Sequence, residues 1–172
     1  MSQDDVERDK LIFDLIKGRY DSELEKIDSL DAKAGSLAGF VSILTGLIFG
    51  SGSFQLEIIT SSYFLSIAYF LGSAFLLGSI ICAMHAYKIR NFQIVPDVDR
   101  LLKKYVNRPY LDVLQITGAT MKEAVEDIEG KNSNKADYIN AAWYLLLFGL
   151  TVIFIYLLLY ASGWVTTANV GR

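Results

Sequence analysis

Charged residues fall on nearly every helical turn from the N-terminus to Lys33, and then none appears until Glu57. The change happens within a few residues, at Asp31, Lys33 and Gly35. Before it, Phe13, Ile16, Tyr20, Leu24, Ile27, Leu30 and Ala34 recur at steps of three and four, the spacing of a coiled-coil seam. The opposite face carries Asp14, Lys17, Asp21, Glu25 and Asp28. Residues 1–34 therefore predict an amphipathic helix. No breaker separates it from the apolar run Gly35 to Gly52, so one helix is expected to pass from charged to apolar without a break. Eighteen helical residues rise about 27 Å, just enough for the hydrocarbon core of a bilayer.

Ser51, Gly52 and Ser53 end that pattern, and two further apolar runs follow, roughly Tyr63 to Tyr87 and Asn140 to Ser162. The segment between them is polar. Pro96 suits the first turn of a short helix, Asp97 to Val106, and Pro109 that of a second, Tyr110 to Ile116. Gly118 is expected to separate the second from a longer helical pattern through Met121, Val125 and Ile128, which Gly130, Asn132 and Asn134 weaken. Trp143 and Tyr144 suit one membrane interface, and Tyr156, Tyr160 and Trp164 the other. The predicted fold is an all-α integral membrane protein. It has three transmembrane helices, an amphipathic N-terminal cytosolic helix, and a cytosolic helical insert between the second and third spans. The divisions fall at 1–34, 35–87, 88–137 and 138–172.

Orientation follows from Lys and Arg alone. They populate the stretch before the first span and the 88–137 segment, the loop after the first span has none, and the C-terminal tail has only Arg172. The N-terminus and the insert are expected in the cytoplasm, the C-terminus outside, in a multi-pass protein of the cell (inner) membrane. Composition agrees: 52% of the 172 residues are hydrophobic, and mean hydropathy is +0.33. The net charge of -3 argues against a nucleic-acid partner. Cys82 and His85 are single, so zinc sites built from His and Cys are not expected, and no cofactor is implied. The first 34 residues hold no apolar core of a signal peptide.

Two groups of residues stand out. Gly35, Gly39, Ser42, Gly46 and Gly50 are spaced four, three, four and four, which places them on one helix face. Small residues there let another backbone approach closely. Packing within one subunit and an oligomer seam or pore lining are both open readings. The second group is a polar cluster at the cytosolic level: Asp28, Asp31, Lys33, Asn134, Lys135 and Asn140, with Asn132 nearby. Asp31 is expected to meet Lys135, Asn134 or Asn140 and fix how the first and third helices cross. A partly wet pair of this kind contributes about 1 kcal/mol or less. A gate or ligand sensor is the alternative role. Asp28 and Asp31 share a face, as acid–base pairs need, yet acidic pairs on helix surfaces are usually solvated. His85, one turn before Lys88, reads as interfacial rather than as a proton relay. No HExxH, GxSxG, CxxC, Walker A or GxGxxG pattern occurs, and the chain is not expected to be an enzyme.

The run IDSLDAKAGSLAGF, a two-span hairpin, a helical insert and then NKADYINAAWYLLLFG together resemble the transmembrane effector domains of Pycsar and related SLATT-type prokaryotic defence systems. The resemblance covers about residues 15 to 162. Asp31, Lys33, Ala34 and Gly35 match its short Asp-x-Lys-Ala-Gly element, and Lys135 its lysine before the last span. It implies a homo-oligomeric effector that impairs the inner membrane when a cyclic-nucleotide signal arrives. The chain departs from the fuller effectors: it shows no added cyclic-nucleotide-binding domain, no phosphate-cradling Gly-rich loop and no basic pocket motif. A signalling partner protein, or the insert itself, would then receive the signal. A non-catalytic membrane anchor whose cytosolic helices dock a partner protein is the other reading.

The orientation is directly testable. A reporter active only outside the cytoplasm, fused after Arg172, should be active, and a cytoplasmic reporter at the same site silent. The reverse pattern overturns the three-span topology.

Overall fold

The computed structural model describes residues 3–50, 63–89 and 109–161, and its regular structure there is entirely α-helical. Helix α1 spans Gln3–Gly50, α2 Tyr63–Lys88 and α3 Tyr110–Ala161. Each is long and apolar enough to cross a membrane. The expected helix Asp97 to Val106, the break at Ser51, Gly52 and Ser53, and Trp164 lie outside the described residues.

The chain divides into two compact units. The first holds Met1–Asp31 and Ile89–Lys135. Here α1 and α3 run parallel, because their contacts advance together: Asp9 meets Gln115, Arg19 meets Glu129, and Glu23 meets Asn132. Tyr20, Ile27, Met121, Ala124, Val125 and Ile128 form its core, with Phe13 and Ile16 packed against them. The inward positions of α1 are Phe13, Ile16, Tyr20, Glu23, Ile27 and Leu30. They step by three and four in strict alternation, as a 3.5-residue seam requires. The sequence reading put Leu24 on this seam; the structure puts Glu23 there instead. Glu23 is 4% exposed and Leu24 36%. Leu24 is the more apolar residue, but only position 23 keeps the alternation from Tyr20 to Ile27.

Gly118 does not divide α3, which runs unbroken from Tyr110 to Ala161. Glycine inside a helix costs about 1 kcal/mol relative to alanine, and tertiary packing of a long helix readily exceeds that. Packing reaches this glycine too, since a Cβ there would lie 3.8 Å from Ile16 and 3.9 Å from Phe13. Asn132 also belongs inside the helix, because its side chain bonds across to α1 rather than to its own backbone.

The second unit holds Ala32–Lys88 and Ala136–Arg172. Leu37, Val41, Leu76, Ala83, Ala142, Leu146 and Ile153 form its main core. The buried residues of α2 are Leu65, Tyr69, Gly72, Leu76, Ser79, Ala83 and Ala86, again at alternating steps of four and three, joined by Ser73. Helix α2 runs antiparallel to α3. The Tyr69 and Tyr156 rings lie 5.7 Å apart, the Ser79 hydroxyl donates to the Ala142 carbonyl at 2.7 Å, and the His85 and Tyr138 rings are 6.0 Å apart. Tyr156, expected at a lipid interface, is instead buried beside Tyr69 and Leu65. The backbones come closest where Gly72 faces Gly149. A Cβ on Gly72 would lie 3.3 Å from the Gly149 carbonyl oxygen, and one on Gly149 would lie 3.1 Å from that of Gly72. The faces turned away from the core are also apolar, with Phe40, Ile43, Phe70, Ile81, Phe148 and Phe154 exposed. Helices hydrophobic all round belong in the core of a large protein or in a membrane.

Two glycines in α3 should therefore respond oppositely to alanine. Gly130→Ala meets nothing within 4 Å and should stabilise the fold by about 1 kcal/mol through helix propensity. Gly149→Ala presses on Leu76 and on the Gly72 carbonyl and should destabilise by about 1–3 kcal/mol. Thermal melts of the detergent-solubilised chain check both, and equal shifts would contradict the close crossing.

Candidate functional site

The polar residues of the first unit form layers within the α1–α3 seam. Arg19 and Glu129 pair at 2.6 Å, both well exposed. One turn on, Glu23 and Asn132 face each other. The Asn132 amide nitrogen donates to the Glu23 carbonyl oxygen and to Oε2, each at 3.1 Å. Lys26 donates to Glu23 Oε1 at 2.5 Å. The Asn132 Oδ1 atom is buried and accepts no hydrogen bond from the described residues. Next come Asp31 and Lys135, with Nζ donating to Oδ1 at 2.7 Å. The Lys135 side chain is fully buried and that of Asp31 is 16% exposed.

Placed on the heptad alternation, these residues become intelligible. Glu23, Asn132 and Lys135 occupy seam positions, where an apolar side chain is the default. A polar residue at such a position fixes register at a cost in stability. Burial alone raises the Glu23 pKa, but the hydrogen bonds from Lys26 and Asn132, with the nearby charges of Lys26 and Arg19, outweigh it and hold the carboxyl below its ordinary value of 4.5. Asp9, at the other end of the unit, is likewise lowered, chiefly by the hydrogen bond from Gln115.

The sequence-derived cluster is thus divided. Asp31 and Lys135 come together. Asp28, Lys33, Asn134 and Asn140 are exposed, and none makes a side-chain hydrogen bond or ion pair with a described residue. Sequence reasoning missed Glu23 as a seam residue; its signal was the alternation itself. The expected wet, weak pair is also corrected, because Lys135 has no exposed surface. His85 is exposed, and Nδ1 lies 3.0 Å from the Ile81 carbonyl, which only a protonated Nδ1 can satisfy.

The small-residue stripe has a definite place. Ala34, Leu37 and Val41 turn α1 toward its own bundle. Gly35, Gly39, Ser42, Gly46 and Gly50 are all exposed, and a Cβ on any of the four glycines would meet nothing within 4 Å. Among the described residues, none of the four glycines makes a close helix crossing. Within the chain, the close crossing uses Gly72 and Gly149. Ser42 satisfies its hydroxyl on its own helix, donating to the Ala38 carbonyl at 2.7 Å.

Among the described residues, no group of three His, Cys, Asp or Glu side chains comes together as a metal site. Comparison with protein-family models, with curated proteins and with solved structures finds no match. The described residues form three α-helices, each long and apolar enough to cross a membrane.

Two measurements test the layers. Asp31→Asn leaves Lys135 buried without its carboxylate and should destabilise by about 3 kcal/mol, the scale for breaking a buried pair. Adding Lys135→Met should recover part of that loss, and additive losses would show the two residues are uncoupled. The second is pH. A carboxyl held below its ordinary value contributes stability above that value and loses it as pH falls through the folded-state pKa. Stability should be level above Glu23's ordinary 4.5 and decline below it. Glu23→Gln should flatten the decline in melts across about pH 3 to 6.

Proposed function

We propose that this chain is a non-catalytic membrane effector that self-associates through α1 and impairs the integrity or potential of the inner membrane on a signal. In this reading the second unit lies in the bilayer and the first in the cytoplasm. The observation that carries it is the outward face of α1. Gly35, Gly39, Ser42, Gly46 and Gly50 form an exposed row of small residues, and a Cβ on any of the four glycines meets nothing within 4 Å, although Phe40, Ile43 and Leu47 of the same helix are exposed beside them. Lipid is accommodated well by bulky apolar side chains, and a glycine face favours a second helix. The resemblance to Pycsar and SLATT-type effectors points the same way, with a cyclic nucleotide or a signalling partner as the trigger.

A second reading rests on the first unit. An apolar groove of about 240 Å³ is lined there by Ile12, Phe13, Ile16, Leu114 and Ala119, among others. Such a groove suits a membrane anchor that docks a partner protein.

Gly39→Leu/Gly46→Leu separates these readings, because a Cβ at either position meets nothing within 4 Å. In nanodiscs the wild type should have the mass of an oligomer and the double variant that of a monomer. Expression in bacteria, with and without cyclic nucleotides, should depolarise the membrane only with the wild type. A monomeric wild type that leaves membrane potential and dye entry unchanged overturns the effector reading and leaves the anchor.

A further inference from the structure

Within the second unit, Ala34, Gly35, Ala38, Ala83, Met84 and Tyr87 line a crevice of about 210 Å³ between α1 and α2. It exists because these side chains are small. Three alanines and a glycine cannot fill the space between two helices, and a Cβ on Gly35 would meet nothing within 4 Å. The walls are apolar. The volume is below the roughly 300–1,000 Å³ of pockets for drug-sized molecules. An apolar slot this small, open along one side, suits a hydrocarbon chain.

Among the described residues of this unit, charge lies at one end. Its described charged side chains are Lys33, Lys88 and Asp137. Lys88 follows Met84 by four residues and so shares its helix face, and Lys33 immediately precedes Ala34. Both lysines are exposed, and neither is ion-paired with a described residue. Basic residues beside a crevice between membrane helices are complementary to an anionic headgroup.

We propose that this crevice binds an anionic phospholipid, with one acyl chain between α1 and α2 and the phosphate at Lys88, assisted by Lys33. The proposal rests on the reading of the second unit as membrane-embedded. Its ligand neutralises the basic end of the unit and fills space that the chain leaves open. Gly35 belongs to the outward stripe as well as to the crevice, so lipid occupancy and self-association meet at one residue.

The test uses the full chain in nanodiscs of equal phosphatidylglycerol and phosphatidylcholine, followed by detergent extraction and native mass spectrometry of the retained lipid. Phosphatidylglycerol should be retained in preference to phosphatidylcholine. Lys88→Gln should reduce that preference about fivefold, the contribution of one lysine at an anionic surface. Gly35→Leu, which fills the crevice, should abolish retention of both lipids. Equal retention of the two lipids, or phosphatidylglycerol retention unaffected by Gly35→Leu, overturns the site. Failure of the chain to enter nanodiscs at all overturns the membrane reading itself.

Discussion

The alternation of three- and four-residue steps along α1 and α3 is the constraint on which the other features depend. In the first unit it selects Phe13, Ile16, Tyr20, Glu23, Ile27 and Leu30 from α1, and Met121, Val125, Ile128, Asn132 and Lys135 from α3. In the second it continues through Ala34, Leu37 and Val41, and through Ile139, Ala142, Leu146, Gly149, Ile153 and Tyr156. Side chains repeating every 3.5 residues keep two helices in contact over many turns. A seam made wholly of apolar residues would be degenerate, because sliding one helix by a heptad restores nearly the same contacts. Glu23 with Asn132 and Asp31 with Lys135 remove that degeneracy, since a slip would separate buried groups from their partners.

Glycine is used in two physically different ways. Gly72 and Gly149 remove Cβ atoms that would collide with the opposing carbonyl, so the two backbones touch within the chain. Gly35, Gly39, Gly46 and Gly50 remove Cβ atoms that would have collided with nothing. The second use makes no physical sense for an isolated subunit, because each helical glycine costs about 1 kcal/mol in propensity. Self-association is proposed on that basis.

Much of this was legible in the sequence, and the exceptions have identifiable causes. The three long apolar helices follow from run length and the lack of charge, which are local properties. The Asp31–Lys135 contact was accessible because both residues flank apolar runs at the same level. Glu23 was not, since Leu24 scores better on hydrophobicity and the partner that makes a buried glutamate tolerable, Asn132, lies 109 residues away. Gly118 was misjudged because propensity is local, whereas the packing of Phe13 and Ile16 beside it is tertiary. The division between the two glycine faces also needed three dimensions. Gly72 alone gives no hint of Gly149, and the regular spacing of the α1 stripe reads the same whether it faces inward or outward.

The burial of Lys135 has a consequence for the order in which the chain is assembled. Its ammonium group is buried against the carboxylate of Asp31, and 104 residues separate the two. Asp31 is synthesised first, and the apolar hairpin of α1 and α2 lies between them in the chain. The contact therefore forms only once that hairpin has returned α3 alongside α1. Closing so long a loop carries an entropic cost that grows only logarithmically with its length, so the delay is one of sequence rather than of affinity. The ion pair is thus a long-range contact between the last residues of the two segments of the first unit. A chain whose α3 docks one heptad out of place would lose this contact while keeping most of its apolar ones.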